Sequence, residues 1–243
     1  MSIIGKFLAA SVIAYTFMSS VNRVPTGHSE PASSPVAPQG EVSLAPFKSV
    51  ELRAGGTVVL RHGLSQRVTL LQGNLDFTQV TVADAGRLVI DKCKTKCPRG
   101  YKLEIEIVTP DIAGLSVTDG GSIQSRGNFP RQPAIGVAVS QGGTIDIRSI
   151  EADSVTASIV QGGRILISAQ NALSASVVDG GIITYWGDAR VVSSIQRGGD
   201  VTRGSAAEAN QPLAELGSLF TATPAVPAIP KIPRPCNPRI ETC

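Results

Sequence analysis

Apolar and polar residues alternate along most of the chain. In the second half Gly-Gly pairs interrupt this alternation at 120–121, 142–143, 162–163, 180–181 and 198–199. The steps between pairs are 22, 20, 18 and 18 residues. Three residues before each pair stands Val117, Val139, Ile159, Val177 or Ile195, and two residues after it Ile123, Ile145, Ile165, Ile183 or Val201. Four residues before each pair the side chain is small: Ser116, Ala138, Ser158, Ser176 or Ser194. Period-two alternation of β-branched residues predicts strands with one buried face. Gly-Gly supplies the positive-φ backbone of a sharp corner. In the first half a further pair, Gly55-Gly56, sits inside Phe47–Leu60, and alternating strands are predicted over 68–71, 80–82, 88–90 and 103–108.

One repeat of about 20 residues cannot bury its own apolar face, so the repeats must stack. Stacking sets equivalent Val and Ile side chains above one another, about 4.8 Å apart. The expected fold is all-β: a right-handed parallel β-helix, or solenoid, forming a single domain with flexible N- and C-terminal arms. Gly-Gly between strands is also a hairpin signal, so the alternative is an antiparallel β-barrel or a sandwich of hairpins. Hairpins give no reason for one residue type to recur at one offset five times.

Proline marks the ends of this body. Five prolines precede residue 47, four lie within 47–204 and seven follow, whereas 21 of the 25 glycines lie within 47–204. Residues 1–21, with Lys6 as the sole charge and an apolar stretch from Phe7 to Met18, read as an export signal, or an N-terminal anchor if uncleaved. Residues 22–46 read as a Pro/Ser/Ala-rich linker. Residues 205–243 read as a short helix over 212–220 and a Pro-rich tail whose prolines recur at 224, 227, 230 and 233, the period of polyproline II.

The run FKSVELRAGGTVVLRHG, then GRLVI, then YKLEIEIVTPDIAGLSVTDGGSIQSRG carries a resemblance. Its Leu-x-Ile-x-Ile-x-x-Pro strand at 103–110 and Leu-x-Val-x-x-Gly-Gly turn at 115–121 are similar to the putative auto-transporter adhesin head GIN domain family. The resemblance spans about 47–204. It implies a β-helix-like fold and an exported or envelope location, and no functional residues. Asp119-Gly120-Gly121 departs from the Gly-small-Gly turn more usual in that family.

Charge and chemistry narrow the function. A net charge of +3 with 17% charged residues excludes a protein built around nucleic acid. The four cysteines form two close pairs, Cys93 with Cys97 and Cys236 with Cys243, which in an exported chain read as two local disulfides. Two histidines are too few for a His-rich metal site, and no metal or other cofactor is expected. Polysaccharide hydrolysis needs two carboxylates about 5–9.5 Å apart. Asp119 and Asp179, the acids in the pre-glycine column, fall three coils apart, about 14 Å. No catalytic residue is assigned, and a carbohydrate-active β-helix enzyme ranks third.

A non-catalytic, adhesin-like binding module of the bacterial envelope or surface ranks first, and a passive structural or assembly protein second. The expected location is the periplasm, the outer surface or the medium. The expected partner is a cell-surface glycan or other envelope component. Nucleic acid is excluded, and membrane contact is confined to an uncleaved N-terminal segment. Two candidate sites follow. One is a polar face bearing Arg126, Arg148, Arg164 and Trp186, suited to acidic sugars. The other is a basic loop bearing Lys92, Lys94, Lys96, Arg99 and Lys102.

Overall fold

The protein is described from a computed structural model that places residues 40–93 and 96–212. Fifteen strands join in one continuous, nearly closed, barrel-like sheet, and the sole α-helix among the described residues, α1, spans four residues, Ala206–Ala209. The all-β expectation holds.

Strands flanking a Gly-Gly pair do not pair with each other. Each pairs in parallel with the equivalent strand of a neighbouring repeat. The first ladder runs β6 (Arg87–Lys92), β2 (Ser49–Arg53), β8 (Gly114–Thr118), β10 (Gln132–Ser140), the second half of β11 (Thr144–Val160), the second half of β12 (Arg164–Val178) and β14 (Arg190–Gln196). The second ladder runs β7 (Glu104–Thr109), β3 (Thr57–His62), β9 (Ser122–Arg126), the first halves of β11 and β12, β13 (Ile182–Trp186) and β15 (Asp200–Arg203). The offsets read from the sequence are the register observed: Val117, Val139, Ile159, Val177 and Ile195 oppose one another in turn, as do Ile123, Ile145, Ile165, Ile183 and Val201. All but the last member of each column are buried. Full burial of such a side chain stabilises by roughly 1.5–3 kcal/mol, so the two columns are the spine of the core.

Antiparallel pairing is confined to the N-terminal end. There β4 (Arg67–Gln72) pairs with β7, β5 (Thr78–Ala83) with β6, and β1 (Gly40–Val42) with β4. β1 lies inside the stretch read as a linker. Chain order and spatial order also part here: β6 and β7 lie outside β2 and β3, which pair on their other side with β8 and β9.

Each corner carries three successive residues at positive φ, for example Gln161 at 61°, Gly162 at 81° and Gly163 at 116°. The two glycines differ. A Cβ on Gly162 would meet nothing within 4 Å, whereas one on Gly163 would lie 2.5 Å from Val139 Cγ1 and 3.0 Å from the Gly143 carbonyl oxygen. The second glycines therefore stack backbone on backbone. The carbonyl of Gly143 accepts from the Arg164 amide at 3.0 Å, and that of Gly163 from the Ile182 amide at 3.0 Å.

Candidate binding surfaces

Of the polar-face residues read from the sequence, the structure brings two together. Arg148 and Trp186, two coils apart, converge: the guanidinium carbon lies 5.3 Å from the indole centroid. Arg126 is exposed beside Arg61, which pairs with Glu106, and Arg164 opposes Ile182 and Thr144 in register.

The Arg148 side chain is only 10% exposed, because the chain returns over it after β15. Asp146, two residues earlier on the same face, holds the guanidinium through Nε at 2.8 Å and Nη2 at 2.7 Å. The remaining donors reach the backbone carbonyls of Glu208 at 2.6 Å, Ala209 at 3.3 Å and Gln211 at 2.8 Å. Arg148 thus joins the Gln211 amide, which donates to the Glu208 carbonyl at 3.2 Å, at the carbonyl end of α1, and the positive charge suits a helix C-terminus. Trp186 donates its indole N–H to the Ser205 carbonyl at 2.8 Å. Beneath this cover Leu166 and Thr184, outward-facing by strand alternation, are buried.

A capping box fixes the covering turn. Ser205 Oγ accepts from the Glu208 amide at 3.3 Å, and the Glu208 carboxylate accepts from the Ser205 amide at 2.8 Å. The Ser205 amide and hydroxyl, each donating to the Glu208 carboxylate at 2.8 Å, together with the nearby Arg148 charge, lower the Glu208 pKa below its ordinary value. The contact is imperfect. Thr184 Oγ1 and Gln211 Oε1 are buried without a hydrogen-bond partner. Asp146, Ser205 and Glu208 were missed as site residues. The Ser-x-x-Glu spacing at 205–208 is a legible helix start, seven residues before the expected helix, most of which lies outside the described residues.

The basic loop occupies the corner between β6 and β7, where other coils have Gly-Gly. Cys93 and Cys97 form a disulfide with Cα atoms 5.3 Å apart, as expected. Cys93 itself takes the positive φ, 65°. Lys96, Arg99 and Lys102 are exposed, and Lys92 lies 5.9 Å from the Tyr101 ring centroid. None of these four cations forms an ion pair among the described residues. Lys94, Cys236 and Cys243 lie outside the described residues.

Elsewhere acids are engaged or scattered. Asp179 is bidentate with Arg197 of the next coil, which lowers the carboxyl pKa. Among the described residues no cluster of three His, Cys, Asp or Glu side chains could hold a metal, and no helix is long and apolar enough to cross a membrane.

No family model and no curated protein matches the chain. A putative adhesin from Bacteroides fragilis is similar in structure at 18% identity, over 68% of this chain and 95% of its own, with a TM-score of 0.43. A putative cell adhesion protein from Clostridium sporogenes is similar at 10% identity, over 69% and 100%, with a TM-score of 0.33. A putative lipid binding protein from Parabacteroides distasonis follows at 15% identity, over 68% and 96%, with a TM-score of 0.27. Likenesses of this size carry no ligand or activity to this chain.

Proposed function

We propose that the protein is an exported, non-catalytic binding module, wound as a right-handed parallel solenoid, that docks anionic polysaccharide of the cell envelope through its basic corner. The observation that carries this reading is that Lys96, Arg99 and Lys102 stand exposed on a disulfide-closed corner and form no ion pair among the described residues. A short disulfide loop limits the freedom its cations lose on binding, and cations not engaged in ion pairs remain available to a polyanion. The signal-like residues 7–18 and the oxidised cysteines fit an exported chain.

The test is retention on immobilised polygalacturonate across a salt series, with and without substitution of Lys92, Lys94, Lys96, Arg99 and Lys102 by Gln. The expected result is binding that weakens steeply with salt and disappears in the substituted protein. Retention unchanged by the five substitutions overturns the assignment. Release of reducing ends from the polymer would overturn the non-catalytic reading.

A further inference from the structure

On the outer face of the first ladder, between β8 and β14, three outward positions on each of five strands carry no charge. A soluble surface of this kind is usually about a quarter to a third charged. The second ladder's outer face has the ordinary mixture, with Arg126, Asp146, Arg148, Arg164 and Asp200 on its equivalent strands.

The uncharged face also has relief. Along one column the register runs Gly114, Gly136, Thr156, Ser174, Val192. At its start the glycines leave a shallow, mainly apolar depression of about 340 Å³ that includes Gly114, Ser116, Gly136 and Ala138, with Arg87 of β6 lining its far side. A Cβ on Gly136 would meet only the Ala113 carbonyl oxygen, at 3.8 Å. At the column's other end Val192 stands 67% exposed. Dip and knob are three register steps apart, about 14 Å, with the midpoint between Thr156 and Ser174.

We propose that this face binds a second copy of the chain, about a two-fold axis lying in the interface, parallel to the strands and midway between Thr156 and Ser174. That operation sets Val192 of each copy over Gly136 of the other. In the next columns it sets Val160, itself 39% exposed, against the partner's Val178, and Ser158 against the partner's Ser176. Isologous pairing places every column on itself, so a charged face would meet like charge, whereas this uncharged one does not. Four facing strands, about 4.8 Å apart and about 23 Å long, give a footprint of roughly 450 Å² on each copy; at that length it takes in Arg190 at the start of β14, the one charge on these four strands' outer face, which the same axis sets over the partner's Ala134 rather than over like charge. That is the small end of specific interfaces, so the dimer is reversible and concentration-dependent.

The experiment is sedimentation velocity on the full exported chain from low to high micromolar concentration. The variants are Val192→Glu, Gly136→Lys and their equimolar mixture, with melting temperatures read in parallel. Val192 is exposed and Gly136 is not at positive φ, so both variants should fold. The wild type should pass from monomer to dimer. Each variant alone should stay monomeric, because carboxylates enter both dips in one and lysines fill both dips in the other. The mixture should dimerise again, since the carboxylate introduced at position 192 of one copy then faces the ammonium introduced at position 136 of the other, and the second contact is native. Ser158→Arg serves as an independent breaker should either variant fail to fold. A wild type that stays monomeric, variants that dimerise like it, or a mixture that stays monomeric each overturns the proposal. Monomeric protein that binds insoluble polysaccharide through Val192 would reassign the face to a different partner.

Discussion

The two glycines of a corner look equivalent in sequence, yet the structure predicts very different costs for losing them. Gly162→Ala places a methyl group in open space at φ 81°. Its cost is the left-handed strain of an L-residue, about 1–2 kcal/mol. Gly163→Ala meets a φ of 116°, outside the small left-handed well, and its Cβ would fall 2.5 Å from Val139 Cγ1 and 3.0 Å from the Gly143 carbonyl oxygen. The valine is a buried core residue and cannot swing aside. The carbonyl accepts the Arg164 amide, so moving it also strains a ladder hydrogen bond. Backbone strain of about 1–3 kcal/mol and overpacking of about 1–3 kcal/mol add to about 0.5–1.5 kcal/mol for the hydrogen bond. The total is about 3–7 kcal/mol. For a body of this size each kcal/mol lowers Tm by about 2–4 °C. Thermal unfolding followed by circular dichroism should therefore show a loss of a few degrees for Gly162→Ala and of roughly 10 °C or more for Gly163→Ala. Equal losses, or the reverse order, would refute backbone-on-backbone stacking at the second glycine.

Ile159→Asp should abolish cooperative unfolding, because it buries an unpaired carboxylate between Val139 and Val177; near-native urea denaturation of the variant would contradict the register. The turn over Trp186 should open in acid. Glu208 has a folded pKa below its unfolded one, so its contribution is present above the ordinary Glu value and is lost as pH falls through the lower, folded value. Trp186 is the only tryptophan, so its emission should shift to the red and its acrylamide quenching rise across that acid range. A Glu208→Gln variant that shows the same acid transition would rule this latch out.

Much of the fold was legible because stacking makes the same demand many times. Ile123, Ile145, Ile165 and Ile183 recur at one offset because each occupies the same place in successive coils. Features that occur once were not legible. Nothing in the alternation of residues 87–92 and 104–109 says that β6 and β7 lie outside β2 and β3, because that choice depends on which neighbour remains unpaired. Alternation placed Trp186 and Arg148 on one outer face, but the segment that covers them returns from about 60 residues further along the chain than Arg148. The capping box at Ser205 announces a helix start, and no local signal says where that helix lands.

The outward positions carry information the core cannot. Each ladder is built on its own buried column of Val and Ile, so stacking asks no more of the first ladder's outer face than of the second's. The second ladder nevertheless bears charged residues on its equivalent strands, and the first has fifteen consecutive register positions without one, three on each of five strands. Charge at Ser158 or Ser176 would not disturb Ile159 or Val177, whose side chains point the other way. The pattern of this outer face is therefore not set by the core beneath it. Two copies related by the proposed axis would bury Val192 over Gly136 without bringing like charges together, which the first ladder's outer face permits and the second's does not.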